Sequence, residues 1–211
     1  AAIDSLSRRD LAGVLDYGAQ GGATGWVHQL AEVGDKKSLK NAIDKMPMGD
    51  MPDFHAPMTA AFNALQKAPA AAKHVIIISD GDPSMPQPNL VAQYRKAGIT
   101  VSTVCVWPHG DQAPPEFAKL ALDLGGRPYH VKDAKELPKI FIKEAQVVRR
   151  ALIVEKPFTP KVTFGVSEIL RGIDALPPLD GYILTGARGG LAQMVRSEER
   201  RVGKECRSRW S

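Results

Sequence analysis

The chain has 211 residues, 44% of them hydrophobic and 24% charged, with a formal net charge of +5, enough for one generous domain or for one domain plus part of another. Six Lys or Arg against three Glu in the last sixteen residues carry most of that charge, and aromatics make up only 6% of the chain. These features argue against a nucleic-acid partner, which calls for basic and aromatic residues interleaved. Cys105 in an apolar run and Cys206 in the basic tail exclude a disulfide framework or a spaced zinc site. No apolar run approaches the roughly 20 residues that cross a bilayer, so a soluble chain is expected.

AAIDSLSRRD reads as the last turns of a helix, with Ile3 and Leu6 on one face and Arg8 and Arg9 at its end. LAGVLDYG and WVHQLAEV follow as strands around a glycine-rich loop. KKSLKNAIDKM places Leu39, Ile43 and Met46 on one helical face, and Pro47 stops it. A proline-rich loop, PMGDMPDFHAP, leads into a helix beginning at MTAAFNALQKA.

KHVIIISDGDPS is the stretch around which the chain is organised. Four β-favouring apolar residues in a row, Val75 to Ile78, suit a central strand covered on both faces of a parallel sheet. NLVAQYRKAG is a helix with Asn89 as its cap and Gly98 as its stop, and ITVSTVCVW is the next strand. PPEFAKLALDLGG is a proline-started helix, RPYHV a short strand, and DAKELPKIFIKEAQVVRRAL a longer helix that tolerates Pro138 in its first turns. This alternation describes a doubly wound, Rossmann-like α/β domain with a mostly parallel sheet. After Leu152 the texture becomes proline-punctuated and β-rich. The boundaries fall at residues 1–154, 155–195 and 196–211, the last a basic tail read as non-native and outside the fold.

Ligands of open α/β sheets gather at the carboxyl ends of strands. Asp80 and Asp82, in the turn after the Val75–Ile78 run, therefore form the first candidate site, with ordinary turn chemistry as the plain alternative. The loop of residues 49–54, carrying Asp50 and Asp53, forms the second. His28, His55, His74, His109 and His130 have no metal-ligand spacing, and Met46, Met48, Met51 and Met58 read as packing. Ser79 and Ser84 lack an activating base, and Gly21–Gly22 and Gly125–Gly126 read as turn glycines.

The blocks DLAGVLDYG, GDMPDFHAPMTAAFNAL, HVIIISDGDPS, ITVSTVCVWPHG and LALDLGGRPYHVKDAKELPKIF together resemble a von Willebrand factor type A domain. More narrowly, IFIKEAQ, a proline-rich connector and LPPLDGYILT resemble bacterial membrane-anchored proteins that join such a domain to a glutamine amidotransferase-like domain. The resemblance implies a protein-binding module of a membrane-associated parent, with residues 155–195 opening the second domain. It implies a metal-ion-dependent adhesion site built from an Asp-x-Ser-x-Ser loop, a threonine loop and an aspartate, to which Asp80 corresponds. Pro52 stands where the threonine is expected, Asp53 is its substitute, and the first loop would precede Ala1. Mg²⁺ is thus implied for the full-length parent, while this chain, lacking the first strand, is expected to bind little or none.

The alternative is a haloacid-dehalogenase-like phosphohydrolase, with Asp80 as nucleophile and Asp82 as acid or base beside Mg²⁺. After ITVSTVCVW only Asp111 is available for its later acidic pair. A further expectation is that loss of the first strand exposes sheet edges and leaves the chain poorly soluble and inert.

Overall fold

The structure is a computed structural model and describes residues 2–18, 23–46, 49, 51–81, 83–108, 114–150, 153–162, 176–183 and 196–197. Two compact units divide the chain, Ala1–Ala151 and Leu152–Ser211. The sequence readings at Gly21–Gly22, Pro47, Met48, Asp50, Asp82, His109 and Asp111 lie outside the described residues.

In the first unit a short helix α1 (Ala2–Ser5) precedes an antiparallel hairpin of β1 (Leu11–Tyr17) and β2 (Thr24–Glu32). Two helices, α2 (Lys37–Asp44) and α3 (His55–Lys67), lead to β3 (His74–Ser79). Alternation then continues through α4 (Pro88–Ala97), β4 (Thr100–Val106), α5 (Pro115–Asp123), β5 (Gly125–Val131) and α6 (Leu137–Arg150). The last three strands form a parallel sheet in the order β3-β4-β5.

Local chemistry explains where the helices start and stop. Pro88 and Pro115 open α4 and α5, because a ring-fixed φ suits the first helical turn and no hydrogen bond is lost. Helix α4 thus begins one residue before Asn89, with Gln87 as its cap. Gly98 ends it in the left-handed conformation, φ 66°, and its N–H returns to the carbonyls of Arg95 and Tyr94. Helix α3 starts at His55, three residues earlier than Met58, because Pro57 fits inside a first turn.

The reading of β3 as the central strand is corrected. Among the described strands β4 is the middle one, with Val101 to Cys105 consecutively buried, while Ile78 of β3 is 49% exposed. An unbroken apolar run reports covered faces; which strand has a neighbour on both edges depends on distant pairing that the run does not encode. The pair Gly125–Gly126 is likewise more than a turn. Gly126 lies in β5, where an added Cβ would fall 1.9 Å from the Val101 carbonyl oxygen.

Two clusters cover the faces of the sheet. On one, Phe54, Met58, Phe62, Leu90, Tyr94, Val101, Cys105 and Phe117 belong to a core built by α3, α4 and α5. Phe54 stacks on Phe117 with ring centroids 5.0 Å apart. On the other face, among the described residues, α6 contributes Ile140, with Leu137 alongside, to Val104 and Val131. A polar attachment stands beside it. Glu144, 1% exposed, accepts hydrogen bonds from Ser102 Oγ (2.7 Å), Arg127 Nε (3.0 Å) and the Tyr129 hydroxyl.

In the second unit, β6 (Ile153–Val154) pairs antiparallel with β8 (Tyr182–Ile183), and β7 (Lys161–Val162) with β9 (Arg196–Ser197). Phe158 and Leu179 exchange two backbone hydrogen bonds of 2.9 Å, and Phe158 meets Tyr182 edge-on. The first two residues of the basic tail, Arg196 and Ser197, thus enter a ladder. Residues 163–175 and 184–195 of the amidotransferase-like segment and 198–211 of the tail lie outside the described residues.

The fully buried Tyr94 donates its hydroxyl to the Met58 carbonyl at 2.7 Å, locking α4 to α3. Tyr94→Phe should lower unfolding free energy by about 1 kcal/mol in urea denaturation, with an unchanged slope, because one buried carbonyl loses its partner.

Candidate functional site

The site lies where β3 ends. Ser79 Oγ donates to Asp80 Oδ1 at 3.2 Å and accepts the Gly81 N–H at 3.1 Å, which sets the direction of the turn. From β4, the Cys105 thiol donates to the Asp80 carbonyl at 3.3 Å. Burial, and then the adjacent Asp80 charge, push the Cys105 thiol above its ordinary pKa, so it serves as a packed donor and not as a thiolate. Gly81 is obligatory twice over. Its φ is 98°, and an added Cβ would sit 2.6 Å from Pro114 Cδ, at the entrance to α5.

The structure brings the two loops singled out in the sequence together. Ser84 N–H donates to the Pro52 carbonyl at 3.1 Å and Phe54 N–H donates to the Ser84 carbonyl at 2.9 Å, forming a parallel bridge between Asp53 and Ser84. Beneath it Phe54 is fully buried on Phe117. Asp53 Oδ1 accepts the Ala56 N–H at 3.0 Å and so supports the start of α3. Asp50 and Asp82, in the same two loops, lie outside the described residues.

A Mg²⁺ ion asks for an octahedron of oxygens. The described residues fit it incompletely: Pro52 has no hydroxyl, one oxygen of Asp53 is engaged by the helix start, and the Ser79 hydroxyl faces back to Asp80. Among the described residues no group of three His, Cys, Asp or Glu converges for a metal.

Two features escaped the sequence reading. Trp107, directly after β4, is 63% exposed with φ 46°, a conformation uncommon outside glycine. Its indole N–H donates to the Lys132 carbonyl at 3.0 Å, which holds the ring in place. The available signal was an aromatic residue between a buried strand and Pro108. The second is His74, read as an unremarkable histidine, which joins the Glu144 network: Nδ1 is 2.7 Å from Thr100 Oγ1 and Nε2 is 3.0 Å from Glu144 Oε2, off the donor direction.

A parallel sheet with helices on both faces, and loops joined over the carboxyl end of an apolar strand, define an open α/β binding fold. The chain belongs to the von Willebrand factor type A domain family, whose model matches residues 2–143. Among solved structures it is similar to a von Willebrand factor type A protein from Catenulispora acidiphila, at 18% identity and a TM-score of 0.55. That match covers 77% of this chain and 41% of the other, so the chain spans less than half of that relative's length. It is also similar to the conserved hypothetical protein BatB from Bacteroides thetaiotaomicron, at 16% identity and a TM-score of 0.50, over 71% of this chain and 83% of that one. At such identities the likeness establishes the fold alone. No curated protein matches the chain. Domains of this family are in general protein-interaction modules, and among the described residues no helix is long and apolar enough to cross a membrane.

The two positive-φ glycines separate strain from steric overlap. Gly98→Ala, with nothing within 4 Å of the added Cβ, should cost about 1 kcal/mol. Gly81→Ala should cost about 2–3 kcal/mol by chemical denaturation, because Pro114 must also move.

Proposed function

We propose that the chain is a non-catalytic binding module that docks a protein partner on the loops beyond β3 and β4, within a larger membrane-associated bacterial protein. Asp80 and Asp53, with Asp82 and Asp50 of the same loops, form the contact surface, and Trp107 lies at its rim. The observation that carries this reading is the pair of Ser84 backbone hydrogen bonds that joins the two acidic loops into one surface. A surface held by backbone bonds over a stacked Phe54–Phe117 pair loses little entropy on binding. An exposed tryptophan with its N–H already bonded is the kind of rigid anchor on which protein contacts concentrate.

The metal-ion-dependent adhesion site of this chain is degenerate. Two carboxylates from two loops, one of them engaged in starting a helix, hold Mg²⁺ weakly, because the ion gives up its water reluctantly. A complete cage in the parent would need ligands beyond the described residues. The parent's membrane anchorage and amidotransferase-like domain rest on the order of IFIKEAQ, the proline-rich connector and LPPLDGYILT. The division of the chain at Ala151 and Leu152 supports a first domain ending near residue 154 and a second module over 155–195.

Calorimetric titration of the chain with MgCl₂ should give no saturable binding at submillimolar concentrations; a submillimolar affinity lost in Asp80→Asn would overturn the degenerate-site reading. A photo-crosslinking residue at Ser84 or Trp107, expressed in the source cells, should yield one discrete protein adduct that weakens in Asp80→Asn. The same residue at exposed Gln93 on α4 should yield none. Adducts from Gln93 with none from the loop positions would place the contact elsewhere.

A further inference from the structure

Glu144 projects from α6 into the protein at the amino-terminal end of the sheet, opposite the loops of Asp80. Its carboxylate is held from β4 by Ser102, from β5 by Arg127 and Tyr129, and is approached from β3 by His74. Thr100 flanks His74. Lys143 lies 5.5 Å from the centre of the Tyr129 ring, and on α1, which packs against α6, Asp4 is paired with Lys40. Beside this polar set, α6 buries Ile140 with Leu137 next to it, while Phe141, Ile142, Ala145, Val147 and Val148 are half-buried. Among the described residues of the helix, Glu144 is the buried polar anchor, and it ties α6 to the sheet through directional bonds.

His74 sits where a proton would upset the arrangement. In the neutral form the Thr100 hydroxyl can donate to Nδ1 across 2.7 Å, leaving Nε2–H beside Glu144 but off the line to its oxygen. When Nδ1 takes up a proton from solvent, that hydroxyl must turn to the Lys73 carbonyl, 3.4 Å away, a weak bond. The imidazolium then shares a single carboxylate with the Arg127 guanidinium. Lifting α6 returns His74 and Glu144 to water and leaves Arg127, already partly exposed, fully solvated, which relieves the buried imidazolium.

We propose that the Glu144 cluster is an acid-released latch, in which protonation of the His74–Glu144 pair frees the second half of α6 while β3, β4 and β5 remain paired. The direction follows from linkage. Burial, outweighing the upward pull of Glu144, holds His74 below its ordinary value of 6.5. Burial works against the Glu144 carboxylate, but bonds from Tyr129, Ser102 and Arg127 prevail and hold it below 4.5. The released helix therefore binds more protons. Docking is at full strength above the ordinary histidine value, weakens as pH falls toward the depressed one, and weakens again as Glu144 protonates.

Hydrogen exchange of the whole chain at about pH 7.5 and about pH 5.5, corrected for intrinsic rates, tests the latch. The amides of α6 from Ile140 onward should lose protection relative to those of β4 by up to about tenfold per pH unit for one proton taken up. His74→Gln should abolish that difference, and Glu144→Gln should leave α6 poorly protected at both pH values. Parallel loss in α6 and β4, unchanged α6 protection at the lower pH, or an undiminished response in His74→Gln would overturn the proposal. The wild-type comparison of α6 with β4 decides the matter even where a variant fails to fold.

Discussion

Strand β4 is the constraint on which the first unit depends. A strand buried on both faces leaves no water for its polar side chains, so each must find a protein partner. On β4 each such partner belongs to a different element. Ser102 donates to Glu144 of α6 and accepts the Arg127 N–H of β5. Thr103 donates to the Phe117 carbonyl of α5 at 3.2 Å, and Cys105 to the carbonyl of Asp80 beyond β3. The apolar residues of the strand supply non-directional burial; Ser102, Thr103 and Cys105, the buried polar ones, set where α5, α6 and the acidic turn come to rest.

The order of the loops follows from the same source. Cys105 and Pro114 confine the turn at Asp80 and Gly81 from two sides, and Ser84 then reaches the 52–54 segment through backbone groups alone. Main-chain groups make that connection, while the Asp53 and Ser79 side chains hold the start of α3 and the turn at Gly81. Such a frame suits a recognition surface, because it is rigid from below. The Pro52 carbonyl, and not its side chain, holds that loop to Ser84.

The legible part of the sequence was the local part. Gly98 as a stop, proline at helix starts, the apolar run of β3 and the acidic turn after it are governed by residues a few positions apart. So is the alternation of strand and helix. What remained hidden depended on distant partners. Glu144 sits in a helix rich in Lys and Arg, where a carboxylate reads as one more solvated charge; only the sheet beneath reveals that Ser102, Arg127 and Tyr129 converge on it. Gly126 resembled a turn glycine because its need for a missing Cβ comes from Val101, across the sheet. The middle position of β4 was masked for the same reason, since its serine, threonine and cysteine made it look less buried than β3. The proximity of the 49–54 and 80–84 loops could be anticipated from fold class, but the bridge through Ser84 could not.

The choice of a charged anchor for α6 has a further physical consequence. Removing a carboxylate from water costs several kcal/mol, and well-packed apolar residues often stabilise as much without that cost. What apolar contacts supply poorly is register. Non-directional contacts such as those of Leu137 and Ile140 discriminate weakly between neighbouring positions of α6 along the sheet. Glu144 admits one position, because three donors from two strands meet its oxygens together and a displaced helix would leave the buried Ser102 hydroxyl and the Glu144 carboxylate without these partners. The same rigidity makes the anchor sensitive to charge. A register that rests on the ionisation state of one pair is well defined while that state holds and loses its directional hold when it changes.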